Sequence, residues 1–223
     1  VEPMMSPVMA RLHNALDGGR IRTHLIGVCR WVFIIQLGLT IPMIVFGDKL
    51  LGLFGSAFSA GALILALVLI AELINGTFVL VETPLVYAKP KIPPTLLVLT
   101  LIIMSICIAI FASKWGVMGA GLGFFCAVSF LTIARLIMLR KHLGINIINT
   151  DYLIPIVIGA LCAGLLYAAR QAFNPQHPAL ITLYIVAMLG LYSVLTRKLA
   201  MTKADKRLFK ALKRSRTSKK AAK

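Results

Sequence analysis

The chain has 223 residues, 59% of them hydrophobic and only 14% charged, with 24 Lys and Arg against 7 Asp and Glu for a formal net charge of +17. So much apolar sequence excludes an ordinary water-soluble domain. The charge alone would suit nucleic acid, but no aromatic interleaving and no folded basic module accompanies it, so no nucleic-acid partner is expected.

In chain order, residues 1–27 are mixed, with Pro3 and Pro7 ahead of a polar segment at 11–22. A secretory signal would put its apolar core directly behind a positive start. Here the first apolar stretch begins only near residue 28, and Val1 is not an initiator methionine. The chain therefore reads as a piece of a longer membrane protein.

Six apolar stretches follow, at 28–46, 61–87, 93–112, 117–139, 153–169 and 180–196. A hydrocarbon core ~30 Å thick needs roughly 17–25 helical residues, which each stretch supplies, 153–169 and 180–196 at the lower limit. The expected fold class is all-α, a polytopic integral membrane protein with six transmembrane helices. The expected organisation is 1–27 as the cytoplasmic end of a preceding helix and loop, 28–196 as the transmembrane region, and 197–223 as a basic cytoplasmic tail.

Basic residues alternate between the joints. Arg11, Arg20, Arg22 and Arg30 open the first span, Lys89 and Lys91 separate the second and third, and Arg135, Arg140 and Lys141 close the fourth. Twelve more fill 197–223, while Lys49, Lys114 and Arg170 alone fall on the other side. Lysine and arginine collect in cytoplasmic loops, so both termini are expected to be cytoplasmic. Short joints and no cleavable signal suit a bacterial cell inner membrane. In the tail, Leu208, Phe209 and Leu212 share one helical face among Lys206, Arg207, Lys210, Lys213 and Arg214. Such a segment either lies on the anionic inner leaflet, at ~1 kcal/mol per basic residue, or stays solvated. Membrane lipids are expected partners in either case.

Cys29, Cys107, Cys126 and Cys162 sit in four different spans. Buried thiols of this kind act as small apolar packers, so neither a disulfide nor a zinc site is expected. His13, His24, His142 and His177 lie in joints or at span ends, and no His-Glu-x-x-His, nucleophile elbow or phosphate-cradling glycine loop is present. No enzymatic activity and no cofactor are expected.

Several short motifs occur in a telling order. Ser6-Pro7-Val8-Met9-Ala10-Arg11-Leu12, with Asp17 after it, resembles the segment before a membrane helix in bacterial polysaccharide flippases. Pro42 inside the next span, Leu53-Phe54-Gly55 with Phe58 after it, and Gly116-Val117-Met118-Gly119-Ala120 continue the likeness over residues 6–140. These flippases share the MATE-like exporter superfamily with multidrug extruders and the flippases of O-antigen and other lipid-linked oligosaccharides. The resemblance implies two lobes of helices around a central cavity, with this chain part of the second lobe and the N-terminal lobe of the parent protein missing. It also implies the transport task in polysaccharide and lipopolysaccharide biosynthesis: flipping an undecaprenyl-diphosphate-linked oligosaccharide from inner to outer leaflet, ion-coupled, by alternating access. A multidrug extruder of the same superfamily, or a membrane-embedded lipid- or sugar-modifying enzyme, is the alternative.

Within that frame the costliest residues are in the second span. An ionised carboxylate at mid-bilayer costs at least ~2.5–3.5 kcal/mol, and Glu72 and Glu82 lie ~15 Å apart along one helix at 1.5 Å per residue. Asn75 shares Glu72's side of the helix. Glu72, Asn75 and Glu82 are therefore expected to serve ion coupling, the plainer reading being a neutral Glu72 bonded to a neighbour and a Glu82 that snorkels or pairs with Lys89. Arginine binds phosphate bidentately, so Arg30, helped by Arg22, is expected to meet the lipid diphosphate. Topology anchoring explains the same arginines. Arg135, one turn inside span four, reads the same way with less in its favour. Gln36, polar and mid-span, is expected to line the cavity. Pro42, Pro84 and Pro155 mark expected bends.

Overall fold

The computed structural model describes residues 18–147, 149–173 and 177–200. The Ser6–Leu12 motif, Asp17, the Arg20 side chain and the amphipathic tail face of Leu208, Phe209 and Leu212 lie outside the described residues. Among the described residues every regular element is helical.

Helix α1 spans Gly18–Val45, so it starts about ten residues ahead of the apolar stretch. Backbone hydrogen bonding carries the helix through polar Arg22, Thr23 and His24, whereas hydropathy registers only the lipid-facing part. A turn at Phe46, whose side chain is fully buried, leads into the short α2, Gly47–Gly52. The Leu53-Phe54-Gly55 motif then forms a turn with Gly55 at φ 131°, followed by a 3₁₀ segment at Ser56–Gly61.

The second apolar stretch is two helices, α3 at Ala62–Phe78 and α4 at Glu82–Ala88, joined by a 3₁₀ turn at Val79–Val81. Pro84 accounts for the break. It has no N–H to donate to Leu80, and its ring crowds that carbonyl four residues back.

Helix α5 runs Ile92–Leu143 with one non-helical residue, Gly116, at φ 57° and ψ −137°. Its two arms, 92–115 and 117–143, fold back on each other. A Cβ at Gly119 would run into the carbonyl oxygen of Phe111, and one at Gly123 would sit 2.8 Å from the nitrogen of Ile108. In an unbroken helix residues eight apart are separated by ~12 Å along the axis. The glycines let the two backbones touch, as small residues do between membrane helices. Gly144, in the left-handed conformation at φ 65°, caps the end by donating to Arg140 O at 3.1 Å. A 3₁₀ turn at Thr150–Tyr152, α6 at Leu153–Phe173, α7 at Pro178–Leu195 and a π turn at Thr196–Ala200 complete the chain.

Among the described residues five helical segments are long and apolar enough to cross a membrane: Arg22–Val45, Ser56–Ala88, Ile92–Leu143, Thr150–Phe173 and Ala179–Ala200. The chain is a polytopic all-α membrane protein. The segment count differs from six because the third and fourth apolar stretches run together through Gly116.

Helix α1 is the centre of the packing, with 44% of its span buried against 6% for Ser56–Ala88. One core cluster joins Leu25 and Cys29 of α1 to Leu80, Val81, Leu85, Leu139 and Ile147. The other joins Ile34, Ile41 and Val45 of α1 to Ile158, Cys162 and Leu166 of α6 and Met188 and Tyr192 of α7. Polar contacts tie the ends together. Arg22 Nε donates to Asn146 O at 3.3 Å, which puts the end of α5 beside the start of α1. At the opposite end Arg170 of α6 donates to Val45 O, pairs with Asp48 Oδ2 at 2.7 Å, and lies 5.9 Å over the Phe46 ring.

Candidate functional site: a charge cluster between α3, α4 and α5

Glu72 and Asn75 are three residues apart on α3 and so share a face. Asn75 Nδ2 donates to Glu72 Oε2 at 3.3 Å. The second arm of α5 brings Arg135 against the same face, where its Nη1 donates to Asn75 Oδ1 at 3.0 Å. Its Nη2 reaches Glu82 Oε2 at 2.7 Å. One guanidinium thus clamps both sides of the 3₁₀ break, holding α3 through Asn75 and α4 through Glu82.

Burial grades across the cluster. The Arg135 side chain is 8% exposed, Glu82 29%, and Glu72 lies on the exposed face of α3. A buried guanidinium needs a carboxylate partner and filled donors, and Glu82 and Asn75 supply them. The second carboxylate has no such match. Among the described residues Glu72 makes no ion pair, and Asn75 is its one hydrogen-bond partner. With both carboxylates ionised, the cluster carries one uncompensated negative charge, placed on Glu72.

This arrangement corrects two sequence-based expectations. Glu82 neither snorkels nor pairs with Lys89. It turns inward to Arg135, because the 3₁₀ turn rotates α4 toward the second arm of α5, while Lys89 is exposed beyond the end of α4. Arg135, rated below Arg30, is the residue that joins the others. The signal for it was present: Glu82 lies about two turns inside the Lys89–Lys91 joint and Arg135 one to two turns inside the Arg140–Lys141 joint, with opposite charge.

Arg30, Arg22 and Gln36 all lie on α1. Arg30 is 4% exposed and lies within electrostatic reach of Tyr152, whose ring packs 5.6 Å from Phe33 and 6.0 Å from Phe78. Arg22 is exposed and bonded to Asn146. Gln36 sits between α1 and α3: its Oε1 accepts from the Thr77 hydroxyl at 3.5 Å, and its Nε2 fills the space where a Gly76 Cβ would be. The missing side chain at Gly76 is what admits it.

No family model matches the chain, and no curated protein or solved structure matches it either. The likeness to polysaccharide flippases therefore stands on its short motifs, and the site stands on its own geometry.

Proposed function

We propose that this chain is part of an ion-coupled transporter that moves an undecaprenyl-diphosphate-linked oligosaccharide from the inner to the outer leaflet. The observation that carries the reading is the Glu72–Asn75–Arg135–Glu82 network. Ionisable groups within membrane segments are expensive and belong to substrate or ion pathways. A scaffold needs no second carboxylate beside an ion pair that is already balanced.

The network gives such a cycle a physical handle. A proton or monovalent cation taken up at Glu72 cancels the uncompensated charge and weakens the pull of its carboxylate on the Asn75 amide. Asn75 is then freer to turn, and the grip of Arg135 on α3 relaxes while its pair with Glu82 holds α4. The 3₁₀ turn at Val79–Val81 lies between the two grips and supplies the bend. Alternating access through broken helices near the midplane uses the same elements. Arg22 meets the diphosphate at the mouth and Arg30 joins it once the α1 face opens, and the lobe that the resemblance implies completes the cavity. The protein performs no covalent chemistry and needs no cofactor.

On this reading the membrane is crossed six times, the arms of α5 being separate crossings. The bond from Arg22 to Asn146 supports this, because it requires α5 to return to the end from which it set out. The three basic groups on the other side, Lys49, Lys114 and Arg170, then face outward, and both termini are cytoplasmic in a bacterial inner membrane.

Deleting the gene for this chain tests the function. The expected phenotype is loss of surface polysaccharide with undecaprenyl-linked oligosaccharide accumulating in the inner leaflet. Normal surface glycan with new sensitivity to cationic drugs would place the chain with multidrug extruders, and the diphosphate role of Arg30 would fall.

A further inference from the structure

A cavity of about 290 Å³ opens between α1 and α7, away from the charge cluster. Its walls are graded. Gly38, Leu39 and Leu189 make an apolar stretch, and the polar groups gather at one end with Trp31, Ser193 and Arg197. Gly38 admits the Tyr192 ring, which lies 2.8 Å from where a Gly38 Cβ would sit, and the Tyr192 hydroxyl is already used, donating to Ile34 O at 2.9 Å. The π turn at Thr196–Ala200 widens the last turn of the helix and carries Arg197 onto the rim. Thr196 satisfies the loosened carbonyls there, its hydroxyl donating to Tyr192 O at 2.7 Å and lying 3.2 Å from Ser193 O.

Between two membrane helices the surrounding solvent is hydrocarbon, so an apolar groove of this kind takes an acyl chain. Left empty, its walls would forfeit their dispersion contacts, and water finds too few partners along Leu39 and Leu189. The cationic end fixes the headgroup. Arg197 is exposed beside Lys198, and Trp31 places the rim at interface depth. A guanidinium there pairs with a phosphate bidentately. The volume, at the bottom of the ~300–1,000 Å³ usual for ligand clefts, suits one acyl chain rather than a whole lipid.

We propose that the α1–α7 groove is a binding site for one anionic glycerophospholipid, with an acyl chain along Gly38, Leu39 and Leu189 and the headgroup phosphate on Arg197. The proposal is independent of the transport reading. It uses none of the network residues and holds for any membrane protein with this groove.

The test is native mass spectrometry of the delipidated chain in detergent, titrated with phosphatidylglycerol or with phosphatidylcholine. The wild type should bind one phosphatidylglycerol about fivefold more tightly than phosphatidylcholine, from the contribution of one basic residue near a lipid headgroup. Arg197→Gln, an exposed change that leaves the core untouched, should remove that preference, and Arg197→Lys should keep most of it. Ser193→Phe, which fills the groove, should lower binding of both lipids. Equal binding of the two lipids by the wild type would overturn the proposal. So would a preference that survives Arg197→Gln, or binding unchanged by Ser193→Phe.

Discussion

Arg135 shows what one residue decides in this protein. It is held inside the α3–α5 interface, and its two donors go to residues sixty and fifty-three positions earlier. The pairing of Glu72 with Asn75 is local and legible in the sequence, since three residues along a helix share a face. The partner of Glu82 is not local. Sequence offered Lys89, seven residues on, and the structure chose Arg135 because the fold sets it at the same depth. Removing one member of a buried pair strands the other. Glu82→Gln should destabilise the protein by about 3 kcal/mol, the lower end of the usual cost because Glu82 is part-exposed. Arg135→Gln should cost less, because the carboxylate it leaves behind reaches water more easily. The double variant should recover part of the loss. Thermal melts in detergent give the order, and equal losses that add in the double variant would contradict the pairing. Arg30 also differs from its sequence reading. It is buried near Tyr152 rather than poised in an open mouth with Arg22, so its meeting with a diphosphate requires the α1 face to open.

At the scale of elements, the apolar stretches were legible because length and hydropathy set where a helix can sit in lipid. Their ends and breaks were not, because those depend on backbone geometry. Pro84 was legible as a bend, and it produces the Val79–Val81 turn that separates Asn75 from Glu82. The partner of Gly119 and Gly123 was not legible: both face the preceding arm of the same helix. The closeness of that hairpin makes a sharp prediction. Gly119→Ala sets a methyl against the Phe111 carbonyl, which cannot move aside as a side chain can, and should cost at least ~1–3 kcal/mol. Gly116→Ala forces a side chain into the left-handed region at φ 57° and should cost ~1–3 kcal/mol. Gly164→Ala, with nothing within 4 Å of the new methyl, should be neutral or stabilising by a few tenths to ~1 kcal/mol. Melting temperatures of the three variants in one detergent separate these outcomes, and a tolerant Gly119→Ala would dissolve the hairpin.

For the whole molecule, orientation rests on charge and connectivity together. The basic joints and the Arg22–Asn146 and Arg170–Asp48 contacts divide the polar residues between the same two ends. In a background without the four native cysteines, Lys49→Cys and Lys114→Cys should react with a membrane-impermeant thiol reagent from outside the cell, whereas Lys91→Cys and Lys141→Cys should react only after the membrane is opened. Labelling of Lys114→Cys from inside would remove the two crossings made by α5. At this scale the membrane class was legible in the sequence, while the proposed transport role rests on resemblance, because a substrate cavity depends on surfaces that no single stretch of residues reveals. In the proposed cycle the uncompensated carboxylate at Glu72 acts through Asn75 and Arg135. The most direct measurement is the leaflet distribution of undecaprenyl-linked oligosaccharide in cells carrying Glu72→Gln at the native locus, a change that preserves shape and removes the ionisable group. The account predicts normal protein levels with the lipid-linked glycan trapped in the inner leaflet. Surface glycan at wild-type levels across the growth pH range would contradict it.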